Sequence, residues 1–240
     1  DTQGGGGLRP RLAERWEQQP DGSWRFHLRQ GVTFSDGSTF DARDVKHSFD
    51  RAMNSAMTCE TPRYFGGMTV TATVVDDHTI DFAADPVQPI LPLLMSLVTI
   101  VPEETPVEFV RDPVGTGPYA VTEWTPGQQI VLTRRDGYWG EQPAVTSATY
   151  LFRTDPAVRA AMVQTGEADI APSIAQTDAT NPATDFSYLN SETVYLRVDH
   201  SVPPFNDVRV RQALNYLVPR DDILKAVYFN TARPTRSPIS

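Results

Sequence analysis

The sequence predicts a mixed α/β protein, and three observations predict it. Trp24, Phe26 and Leu28 alternate with polar residues at the period of a half-buried strand. Two β-branched runs, Thr69 to Val75 and Thr79 to Ala83, face each other across Asp76-Asp77. Three stretches with apolar residues at helical spacing each open on an aspartate able to cap them: Asp41, Asp155 and Asp207.

In chain order, Gly4 to Gly7 form a flexible entry, and Leu12, Ala13 and Trp16 lead to the turn signal Pro20-Asp21-Gly22. The strand over 24–28 and a short Val32-Thr33-Phe34 piece, closed by Asp36-Gly37, predict a small antiparallel meander. Asp41 starts a helix with Asp44 in its first turn and Val45, Phe49, Ala52 and Met53 on one face. Residues 54–68 lose periodicity and are expected to form a loop. The hairpin around Asp76-Asp77 follows, then a proline-rich stretch and a short helix over 93–97. Tyr119 to Trp124 and Gln129 to Thr133 flank Pro126-Gly127 as a second hairpin, and Ala148 to Arg153 is a further strand. Asp155-Pro156 opens a helix with Val158, Ala161, Met162 and Thr165 on one face, which Gly166 ends. Asp169-Ile170 reads as extended and Thr193 to Val198 as a strand. Asp207 caps a helix packing through Val210, Ala213, Leu214 and Leu217, Pro219 ends it, and 220–228 form another.

The chain has 240 residues and a net charge of −9. Its basic residues are nearly all arginine and scattered, which argues against a nucleic-acid partner. No run reaches the ~18 apolar residues of a membrane span. The one cysteine, Cys59, reads as a small buried or half-buried residue. His27, His47, His78 and His200 do not lie at metal-ligand spacing, and neither a cofactor nor a metal is expected. Nucleophile-elbow, P-loop and zincin motifs are missing, so no catalytic residue is nominated.

Three blocks resemble one family. The first runs from Arg9-Pro10-Arg11-Leu12-Ala13-Glu14-Arg15-Trp16 through Asp21-Gly22, Phe26-His27-Leu28-Arg29 and Asp36-Gly37 to Asp44-Val45. The second is Gly115-Thr116-Gly117-Pro118-Tyr119 with Trp124, Tyr138-Trp139-Gly140 and Gly166-Glu167-Ala168-Asp169-Ile170. The third is Pro203-Pro204-Phe205-Asn206-Asp207-Val208-Arg209-Val210-Arg211-Gln212-Ala213-Leu214-Asn215-Tyr216. In this order and near this spacing they are similar to the signature blocks of the family 5 extracellular solute-binding proteins, which serve ABC importers of oligopeptides, dipeptides and nickel.

The resemblance implies a two-lobed, periplasmic-binding-protein-like α/β fold that closes over its ligand. It is expected here as a fragment lacking the opening strand region and most of the C-terminal lobe. It divides the chain into 1–112, the family's small extra domain; 113–199, part of the first main lobe; and 200–240, the start of the second. The implied function is capture of oligopeptides or a similar small solute for a membrane permease. The implied setting is extracytoplasmic, with a monomeric, lipid-anchored protein. Much of any peptide-terminus recognition would fall in the lobe not matched, so weak or no binding by this chain alone is expected.

Arg63, Tyr64 and Phe65 are candidate ligand-binding residues: aromatics on a loop can stack on a ligand, and arginine can clamp a carboxylate. The family also places cleft residues near Met95 and Ser96. A charged anchor of some relatives aligns near Met95, which is neutral and speaks against a nickel chelate; core packing is its competing use. Two other functions fit the same scaffold. A solute-sensing module of a transcription regulator would carry a helix-turn-helix upstream. A hydrolase would need a nucleophile or paired carboxylates in the cleft.

Overall fold

The computed structural model describes residues 7–57, 61–187 and 193–234; Cys59 lies outside them. Two compact units divide between Phe152 and Arg153, a contact boundary that differs from the domain limits expected at 112 and 199.

In the first unit β1 (Ala13–Gln18) and β2 (Trp24–Leu28) pair antiparallel around the Pro20-Asp21-Gly22 turn. After α1 (Ala42–Met53) and α2 (Thr61–Phe65) come β3 (Thr69–Asp76) and β4 (Thr79–Asp85), joined by a two-residue loop. The strands form one antiparallel sheet in the order β1-β2-β4-β3. Arg25 faces Asp81 across the ladder and grips both carboxylate oxygens at 2.8 and 2.7 Å. The meander expectation is met only in part: β2 pairs with β1 and β4, and the 32–34 piece makes only an isolated Thr33–Thr39 bridge, because β4 takes the edge of β2 that it would have used.

α1 packs on β3 and β4, and the core lies between them. Phe82 meets the edges of Phe26 at 5.7 Å and Phe49 at 5.3 Å; Phe49 meets Phe65 at 5.7 Å. Each such pair contributes about 0.5–1.5 kcal/mol beyond its area. The 54–68 segment is corrected here: it contains the single-turn α2. Pro62 is tolerated in a first turn, Phe65 pins the turn to the core, and Gly66 leaves it at φ 61°.

α3 (Leu91–Met95) starts two residues earlier than expected, because Leu91 and Leu94, not Leu97, are the buried positions. Next, β5 (Tyr119–Thr125), β6 (Gln129–Arg134) and β7 (Ser147–Leu151) form a three-stranded antiparallel sheet. Arg135 ties the end of β6 to the first half of the unit. Its guanidinium donates to the carbonyls of Thr33 at 3.0 Å, Phe34 at 2.6 Å, Gly115 at 3.2 Å and Gly117 at 3.0 Å. Trp139 donates to Thr116 O at 2.9 Å, and Arg29 stacks over its ring, so this aromatic serves structure.

The second unit holds α4 (Pro156–Thr165), α5 (Val208–Leu217) and α6 (Arg220–Ala226). Their starts and stops follow the sequence: Asp155 and Asp207 accept from first-turn amides, and Gly166 caps α4 at φ 79°. Burial does not follow it. α4 buries Ala160 instead of the expected Val158 face, and α5 buries nothing. Thr193 to Val198 is not a strand. A strand needs a ladder partner, and among the described residues none pairs with 193–198; Leu196 is 83% exposed.

Candidate functional site

A cavity of about 180 Å³ opens in the first unit. Its floor is the inward face of β1 and β2, where strand alternation turns Trp16, Phe26 and Leu28 to one side. Its wall is the C-terminal end of α3 and the segment after it, supplying Met95, Ser96 and Ile100. The chain before β1 contributes Leu12, Arg9 and Arg11. No aspartate, glutamate or histidine is among the lining residues, so the groove is apolar with cationic residues as its only ionisable groups. A cavity near 150 Å³ lined by such side chains holds a benzene-sized group.

Met95 and Ser96 are thus brought together in this groove. Met95 is half-buried against the core; Ser96 is exposed, with its hydroxyl donating to Leu93 O at 2.7 Å. Arg63, Tyr64 and Phe65 are not among the lining residues. Phe65 is fully buried and anchors α2, while Tyr64 is 56% exposed and Arg63 lies exposed beside it. Sequence reasoning passed over Trp16, Arg9 and Arg11 as groove residues. Their signal was the Arg-Pro-Arg entry ahead of an aromatic strand position.

A second concavity, polar and open, is lined by Glu14, His27, Arg29, Asp76, Asp77 and His78. His27 and Asp76 in it are tied to neighbours, whereas His78 Nδ1 is buried without a hydrogen-bond partner among the described residues. His27 Nε2 lies 3.2 Å from Glu17 Oε1, and this hydrogen bond holds the Glu17 carboxyl below its ordinary value. The His78 amide donates to Asp76 at 2.8 Å and lowers its carboxyl likewise. Among the described residues no three histidine, cysteine or acidic side chains gather as metal ligands.

The first unit thus carries an apolar groove edged by Arg9 and Arg11. Residues 7–240 match the bacterial extracellular solute-binding proteins, family 5 Middle. The dipeptide-binding protein of Escherichia coli (strain K12) is 33% identical over 91% of this chain and 47% of its own length. The glutathione-binding protein GsiB of Salmonella paratyphi A is 32% identical over 93% of this chain and 46% of its own. Among solved structures, NikA from Brucella suis, in complex with Fe(III)-EDTA, superposes with a TM-score of 0.79 at 28% identity, covering 98% of this chain and 51% of that one. The chain belongs to the family 5 bacterial extracellular solute-binding proteins. It spans about half the length of the curated relatives it matches.

Proposed function

We propose that this protein is the extracytoplasmic substrate-binding component of an ABC importer, handing a short peptide or similar small solute to a membrane permease. Family membership over residues 7–240 is the observation that carries this. The names of the dipeptide- and glutathione-binding relatives favour a peptide. The groove chemistry agrees: an apolar side chain seats against Met95 and Trp16, and Arg9 and Arg11 favour a neighbouring carboxylate. Ser96 offers its hydroxyl oxygen as an acceptor at the rim. Tyr64, flanked by Arg63, supplies a second contact surface, with Phe65 holding α2 from behind. The protein holds its solute without chemical conversion, acts as a monomer, and is lipid-anchored outside the cytoplasm. Its functional domains run 1–112, 113–199 and 200–240.

The test is native mass spectrometry on the protein isolated from its own cells without refolding. A retained mixture of short peptides is expected, with occupancy reduced at least ~10-fold by Met95→Glu, which places a charge in an apolar site. A single non-peptide mass would keep the receptor and change its solute. Protein that retains nothing and takes up no member of a dipeptide library would overturn the reading.

A further inference from the structure

One stripe of α1 is polar where a core helix would be expected to be apolar. Asp44, His47, Ser48 and Arg51 recur at three- and four-residue spacing and therefore share a face. Each of the four reaches the main chain of residues 101–108, and Asp44 also accepts from Asp41 N through its other oxygen. Ser48 Oγ accepts from Val101 N at 2.9 Å and donates to Val101 O at 3.1 Å. Asp44 Oδ1 accepts from Glu103 N at 2.8 Å. His47 Nε2 meets Thr105 O at 2.8 Å, and Arg51 donates to Pro106 O at 2.9 Å and Glu108 O at 2.5 Å.

Segment 101–108 has no helix or strand of its own. The main-chain groups of Val101 and the amide of Glu103 therefore bond to α1 side chains in place of a ladder. Ser48 is 2% exposed and Asp44 6% exposed, so on the helix side these bonds are made where water has little access to the side chains. The segment begins directly after Val98 and Ile100, which line the groove, and these follow Met95 and Ser96 without a break.

The geometry points to Ser48 and Asp44 as positioning residues. By clamping the main chain at Val101 and Glu103, they set where the 95–100 wall stands and hence the width of the groove. This rests on the groove being the place where solute binds. Because the clamp reads main chain only, the composition of 101–108 carries no trace of it. The effect is graded along the helix: Ser48 holds the wall end, whereas Arg51 holds the far end.

The test uses Ser48→Ala, the milder Asp44→Asn, which keeps one acceptor oxygen, and Arg51→Ala as the far-end control. Readouts are amide hydrogen exchange, the rate of Met95 sulfoxide formation in dilute peroxide, and affinity for the dipeptide Ala-Leu in the protein isolated from its own cells. Ser48→Ala is expected to speed exchange over 98–103 and Met95 oxidation at least ~10-fold and to weaken Ala-Leu binding about tenfold. Asp44→Asn follows at a smaller amplitude, and Arg51→Ala alters exchange only near 107–108, leaving affinity within about twofold. Unchanged Met95 oxidation in Ser48→Ala, or equal loss of affinity in Ser48→Ala and Arg51→Ala, would overturn the clamp. If Ala-Leu does not bind the unaltered protein, the peptide reading is judged by the dipeptide library, and Met95 oxidation alone decides the clamp.

Discussion

The helices α1 and α5 are both capped by aspartate and both amphipathic, yet they end in different environments. α1 surrenders Val45 and Phe49 to a core shared with β3, β4 and α2. α5 buries no residue, and Tyr216 and Leu217 stand 89% and 74% exposed. The units that contain them differ in the same way. Among the described residues Ala160 is the one buried apolar residue of the second unit, against sixteen in the first. Amphipathic period states which face of a helix can be buried. Burial itself requires a second apolar surface, and most helical stability comes from it.

The largest expected effect tests that contrast directly. Phe82→Ala removes a fully buried ring at the centre of the aromatic cluster and is expected to cost about 3–5 kcal/mol. Tyr216→Ala removes a side chain that is 89% exposed, and such surface changes stay within about 0.5 kcal/mol. Urea denaturation, followed at equilibrium for each variant, measures both. Comparable losses in the two would mean that Tyr216 has a burial partner, and the contrast between the units would fail.

Local structure was legible in the sequence because its causes are local. Asp41, Asp155 and Asp207 cap the helices they were expected to cap, and Gly166 ends α4. The alternation at 24–28 and the runs around Asp76-Asp77 became paired strands. Failures came where the deciding partner is remote. Thr193 to Val198 has strand composition but no ladder partner among the described residues. The α2 turn depends on Phe65 meeting Phe49, a contact that no window around residue 65 contains. Arg135, bridging to Thr33 and Phe34, was invisible for the same reason. Of the groove, Met95 and Ser96 were reached through family resemblance. Trp16, Arg9 and Arg11 join them only because the fold brings residues 9–16 to the same groove as the end of α3.

The next effect, about 1 kcal/mol, concerns the caps. Asp41 and Asp44 form a reciprocal box: Asp41 Oδ1 accepts from Arg43 N at 2.7 Å, and Asp44 Oδ2 accepts from Asp41 N at 2.7 Å. Asp41→Ala is expected to lower global stability by about 0.5–2 kcal/mol, since α1 cannot fray without disturbing the core. Asp207→Ala removes the equivalent bond to Arg209 N, 2.8 Å, from a helix with no buried face. It is expected to reduce helical circular dichroism with little change in the denaturation midpoint. A midpoint shift as large as that of Asp41→Ala would show α5 to be energetically coupled to a core.

The smallest effect separates the two acids of that box by sign. Burial pushes the Asp44 carboxyl above the ordinary 3.8, outweighing the amides of Asp41 and Glu103 that donate to it. Burial also opposes ionisation of Asp41, but the Arg43 guanidinium and amide overcome it, and the net shift is downward from 3.8. Between 3.8 and its raised value, Asp44 binds its proton more tightly in the folded chain. Its contribution to stability therefore falls as pH rises through that window. Asp41 stabilises fully above 3.8, and that contribution is lost as pH falls through its lowered folded value. Melting temperatures from pH 2 to 7 for the parent, Asp44→Asn and Asp41→Asn resolve the two. The parent's margin over Asp44→Asn is expected to widen as pH falls toward 3.8, and its margin over Asp41→Asn to shrink as pH falls below it. Margins that move in the same direction would mean that the Arg43 pairing does not outweigh burial at Asp41, and that both acids answer to burial alone.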